Sequence, residues 1–111
     1  MIAREIGNRR IERIALGNLG CAHAALGDSR QAITFYDHDL AIARKIGDRR
    51  GEGTALWNSA MAHDSLRNRP EAITRATSAL AIFEAIEDPW AAKVQAQLAE
   101  WHSGGGQRPS R

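Results

Sequence analysis

The side chains able to do covalent or acid–base chemistry are few and scattered. One cysteine, Cys21, and four histidines, His23, His38, His63 and His102, make up the thiol and imidazole inventory. No HxxxH or HExxH spacing occurs, so no helix turn presents two imidazoles to one metal. Cys21 and His23 are two residues apart and diverge on a helix, so no thiolate–imidazole pair is implied. Asp37 and Asp39 flank His38 and diverge from it in the same way. Gly104-Gly-Gly106 belongs to a flexible end rather than to a phosphate-binding turn between strand and helix. A metal site needs three or four converging ligands, and none is suggested. The expectation is a protein with no catalytic residues, no metal and no cofactor, and not an enzyme.

The remaining candidates are recognition residues. Trp57 and Met61 lie one helical turn apart, and Trp101 stands 40 residues after Met61. Tryptophan is enriched in binding hot spots and methionine suits adaptable surfaces. Packing between helices is the competing role for both tryptophans, Trp57 and Trp101. Arg9, Arg10, Arg49 and Arg50 sit at helix starts beside Glu12 and Glu52. They form either a solvated rim or, through Arg10, Arg13 and Arg50, a surface for an acidic partner. Asn18 and Asn58 are also 40 apart, and an amide offers donor and acceptor together, as a peptide group requires.

The spacing of 40 is a property of the whole chain. Ile6-Gly-Asn-Arg-Arg10 recurs as Ile46-Gly-Asp-Arg-Arg50, and residues 6–45 laid over 46–85 match at 17 positions. Each period reads as two helices. The first runs from about Arg9 to Leu26, with Leu16, Leu19, His23 and Leu26 on one face. Gly27 stops it, Asp28 caps the next helix, and Gln31 stands in capping-box position. That second helix carries Ile33, Tyr36, Leu40 and Ala43 to about Ile46, where Gly47-Asp48 repeats the stop and cap. Asn68-Arg-Pro-Glu71 does so again, with Pro70 in the first turn, where it is tolerated. Asp88-Pro89 opens a fifth helix to about His102. Connections of two to four residues force antiparallel neighbours.

Composition agrees with an all-α chain. Twenty of the 111 residues are alanine and only one is valine, which favours closely packed helices over sheets. A single cysteine allows no internal disulfide. No apolar run reaches the roughly 18 residues of a membrane span. The first ten residues lack a signal-peptide core, so a cytoplasmic setting is expected. The charge of +2 arises from 15 basic and 13 acidic residues. Arg108 and Arg111 account for it, so the folded part is neutral and nucleic acid is not an expected partner.

Leu16-Gly-Asn-Leu-Gly20, Leu26-Gly-Asp28, Ala32 and Tyr36 resemble the tetratricopeptide repeat, as do Leu56-Trp-Asn-Ser-Ala60, Leu66, Ala72 and Ala79. The longer period and the linker at 46–53 resemble the subclass found in kinesin light chain, LGN-type adaptors and many bacterial regulators. The resemblance covers about residues 1–102. It implies a short right-handed solenoid of about five helices, built from repeats 6–45 and 46–85 and a capping helix 86–102. Residues 103–111 are expected to form a disordered Gly-rich tail. There are departures from the family pattern. His23 and His63 replace a tyrosine, Asp39 replaces a small residue, and Ser59, Ala60 and Ala76 replace a Leu, a Gly and an aromatic. Repeat two is therefore expected to pack less tightly than repeat one.

The resemblance also implies a function. The concave side should carry Ile14, Asn18, Cys21 and Ala25 from the first helix, and Thr54, Trp57, Asn58, Met61 and Ser65 from the third. From the fifth it should carry Val94, Gln97, Leu98 and Trp101. In the relatives, the equivalent asparagine holds the backbone of a bound peptide. The expected function is a protein- or peptide-binding scaffold, with Asn18, Asn58, Trp57, Met61, Trp101 and Cys21 on the ligand. Met1 to Ile6 align with Ala41 to Ile46, so the chain is expected to open inside an earlier repeat, as the C-terminal part of a larger regulatory or signalling protein. The alternative is self-association through the uncovered N-terminal face.

Overall fold

The computed structural model describes residues 3–104. Five helices follow one another: α1 (Ala3–Ala25), α2 (Ser29–Ile46), α3 (Arg49–Ser65), α4 (Arg69–Ala85) and α5 (Trp90–His102). Each packs against the next, and no strand occurs among the described residues. The molecule measures 56 × 31 × 18 Å, and its least dimension is about two helix layers. Beyond Gly104 the expected tail lies outside the described residues.

The four turns are cut to one local pattern. Asp28, Asp48, Asn68 and Asp88 stand 20 residues apart, and each backbone N–H donates to the carbonyl five residues earlier. Those carbonyls belong to His23, Ala43, His63 and Phe83, at 2.8–2.9 Å. The residue before each turns left-handed: Gly27, Gly47, Arg67 and Glu87 have φ of 83, 73, 63 and 56°. This satisfies the last carbonyls of the departing helix. The same four residues then cap the arriving helix. Asp28, Asp48 and Asn68 accept from the N–H three residues on. Asp88 accepts instead from Trp90 N at 2.9 Å.

One expected turn does not form. Ile6-Gly-Asn8 matches Ile46-Gly-Asp48, yet α1 runs unbroken through it. At residue 47 the turn is rewarded by packing α3 back on α2. No helix among the described residues stands in that relation to Gly7, and the backbone keeps its helical hydrogen bonds.

The main core belongs to repeat two and α5. Leu40, Ala55, Leu56, Ala60, Ala72, Ala76, Ala79, Ile82, Phe83, Val94, Leu98 and Trp101 form one buried cluster. A smaller one joins Ala32 and Tyr36 of α2 to Ala62 of α3. The expected order of tightness is reversed. In α3 seven residues are buried, whereas in α1 only Gly20 is. The reason is coverage: α3 lies between α2 and α4, while α1 is covered by α2 on one side. The Leu16–Leu26 stripe divides accordingly. Leu16 is half-buried, but Leu19 and Leu26 are 46% and 81% exposed.

The buried residues of α5 are Val94, Leu98 and Trp101, and Ala91 is partly buried against the same core. Forty residues earlier these three positions are Thr54, Asn58 and Met61 of α3, none of them buried. Burying valine, leucine and tryptophan gains about 1.5–3 kcal/mol each.

Candidate functional site

A groove of about 190 Å³ runs between α1 and α3, lined by Arg13, Ile14, Gly17, Asn18, Cys21, Asp39, Thr54 and Asn58. Asn18 and Asn58 both face it, because a 40-residue period sets them at one phase of α1 and α3. Asn18 is exposed and Asn58 half-buried, and neither amide hydrogen-bonds to another described residue.

The floor is an ion pair. Arg13 Nη1 donates to Asp39 Oδ1 at 3.1 Å, and its Nε lies 3.2 Å from Asp48 Oδ2. Asp39 comes from α2 and is only 2% exposed. Gly17 makes room for it: a Cβ there would stand 3.0 Å from Asp39 Oδ2. In repeat two the matching pair is Trp57 and Ala79, so the floor is unique to repeat one. Burial raises the Asp39 carboxyl above the ordinary carboxylate range, against the opposing pull of Arg13. Beneath the groove's Cys21, the buried Tyr36 donates from its hydroxyl to Cys21 Sγ at 3.3 Å. Burial, reinforced by that thiol, pushes the phenol's pKa upward.

The expected recognition residues separate into groups. Asn18, Asn58, Cys21 and Arg13 share the groove. Met61 is 37% exposed, and Trp57 is half-buried against the main core. Trp101 is corrected: it is buried in the main core, with Arg69 Cζ 5.2 Å from its ring centre, and presents no concave-side surface. Val94 and Leu98 are buried in the same core.

The arginines of the expected rim are engaged in ion pairs within the chain. Arg10 Nε lies 3.8 Å from Asp48 Oδ2, and Arg50 Nε donates to Asp88 Oδ2 at 2.7 Å. Both pairs span 38 residues and are related by the repeat. With Arg13 held by Asp39 and Asp48, these guanidiniums link consecutive units and already have anionic partners. Sequence reading missed Asp39 and Gly17 as groove residues. The signal was their joint departure from repeat two, large for small at one position and small for large at the other.

Among the described residues no group of three or more His, Cys, Asp or Glu could hold a metal ion, and no helix is long and apolar enough to cross a membrane. The sequence model of the tetratricopeptide repeat family matches residues 12–85, about two thirds of the chain. No curated protein matches the chain significantly.

Proposed function

Because the chain belongs to the tetratricopeptide repeat family, whose members typically mediate protein–protein interaction, we propose that it is a scaffold binding an extended peptide segment in the α1–α3 groove. The observation that carries this reading is the pair of unengaged amides, Asn18 and Asn58, lining one groove. Each can give and take one hydrogen bond with a peptide group. Ile14, Cys21 and Met61 supply apolar contact beside them, and Trp57 offers its half-buried edge. No covalent chemistry is asked of the chain, and no cofactor.

The test begins with peptides selected from a displayed random library on the wild-type protein. Their affinity is then measured for Asn18→Ala/Asn58→Ala, with the fold checked by circular dichroism. At about 1 kcal/mol per hydrogen bond, losing both amides weakens binding by tenfold or more. Unchanged affinity with the fold intact refutes the clamp.

A second reading is self-association through α1. Ile11 is 68% exposed, and Leu19 and Leu26 share its face. The matching residues in repeat two are Gly51, Ser59 and Leu66, and the first two are buried in α3. A monomeric mass in light scattering at micromolar concentration rules this reading out.

A further inference from the structure

A second cavity lies away from the groove and shares none of its residues. It is a crevice of about 370 Å³ between the repeats, lined by Arg30, Ile33, His63, Leu66 and Asn68. Three features give it a chemical character.

The first is charge. Arg30 makes no ion pair with a described residue, and neither does Arg67, which stands between two lining residues. The nearby carboxylates are engaged elsewhere. Asp28 accepts from Gln31 N and lies 3.7 Å from His23 Nδ1, and Asp64 holds Arg69 at 2.8 Å. The second is the unmet polarity of His63. Both ring nitrogens are buried without a protein partner. Burial, and then the charge of Arg75, keep this ring neutral, with one N–H to donate. A buried polar group without a partner is unfavourable, so a ligand acceptor here would be rewarded. The third is the wall. Ile33 and Leu66 offer branched apolar surface, and Asn68 commits its Oδ1 to Glu71 N, leaving its NH2 group to donate.

A site with a free guanidinium and a free amide NH2 around an apolar wall, backed by a neutral imidazole, is complementary to a carboxylate on a short branched body. We propose that this crevice is a second binding site, taking such a carboxylate from either of two sources: the C-terminus of a peptide ending in an apolar residue, or a free branched-chain acid. The Arg30 fork receives the carboxylate, and Ile33 and Leu66 cover the side chain.

The experiment is an NMR titration that follows the ring signals of His63 in the full chain. The probes are N-acetyl-leucine for a peptide terminus, 3-methylbutyrate for a free acid, and N-acetyl-leucinamide as the uncharged control. The expected result is a saturable shift with one or both acids and none with the amide. Arg30→Gln, an exposed and unpaired position, should weaken that binding at least tenfold while leaving the spectrum of the free protein otherwise unchanged. Saturation by only one acid identifies the source and supports the site. An amide that titrates like the acid, an Arg30→Gln variant that titrates like wild type, or no saturable shift with either acid would overturn it.

Discussion

The contact between Gly20 and Tyr36 allows a quantitative test of how the two repeats solve one packing problem. A Cβ at Gly20 would lie 2.5, 2.7 and 3.0 Å from three ring atoms of Tyr36. Tyr36 is 3% exposed, so its ring has nowhere to swing. Gly20→Ala therefore gains about 1 kcal/mol of helix propensity and loses about 2 kcal/mol to overpacking, for a net destabilisation near 1 kcal/mol. Tyr36→Ala opens a cavity and removes the bond to Cys21, costing about 3–5 kcal/mol. In that background the new Cβ enters vacated space and only the propensity gain remains. Gly20→Ala should then stabilise by about 1 kcal/mol, a coupling of about 2 kcal/mol. The double variant writes repeat two into repeat one, because the matching residues are Ala60 and Ala76, both fully buried. Urea denaturation of the four proteins by circular dichroism measures the cycle, with an osmolyte added to all four if the tyrosine variant is marginal. If Gly20→Ala stabilises equally in both backgrounds, the close approach does not govern this contact.

Three further outcomes are expected. Arg13→Met should cost about 3–5 kcal/mol, because it leaves the buried Asp39 without its partner, while Asp39→Asn should cost less than about 1 kcal/mol because Arg13 retains Asp48; chemical denaturation separates the two. Since the His63 pKa is lowered in the fold, the unfolded chain binds more protons below about pH 6.5, and stability falls as the pH drops through that range. His63→Phe should reduce the loss in melting temperature between pH 7.5 and 5.5, and an unchanged loss would disprove the assignment. Trp101→Ala should cost about 3–5 kcal/mol and Met61→Ala under about 1 kcal/mol, because one residue is core and the other surface; comparable losses would contradict that difference in burial.

Much of the fold was legible because its signals are local. Asp28, Asp48, Asn68 and Asp88 need only their own turn to act, so caps and connections could be read from spacing. Asn18 and Asn58 could be placed in one groove because a period that preserves helix phase also preserves the face. The arginines were not legible. Arg10, Arg13 and Arg50 find carboxylates up to 38 residues away, and only the superposition of one unit on the next reveals them. Repeat phase alone also could not foresee that the Gly7 turn would be passed over, or that Trp101 would face inward.

The amino-acid sequence by itself determined the helices, their caps, the antiparallel order and the 40-residue unit, since each follows from hydrogen bonds and torsions within a few residues. Tertiary structure alone decided which face of a helix is core. Repeat one leaves Leu19 and Leu26 in solvent, whereas α5 buries Val94, Leu98 and Trp101 at positions that α3 leaves half-buried or exposed. Burial is a property of a pair of surfaces. A repeated pattern specifies only one of them, and the neighbour that is present or missing supplies the other.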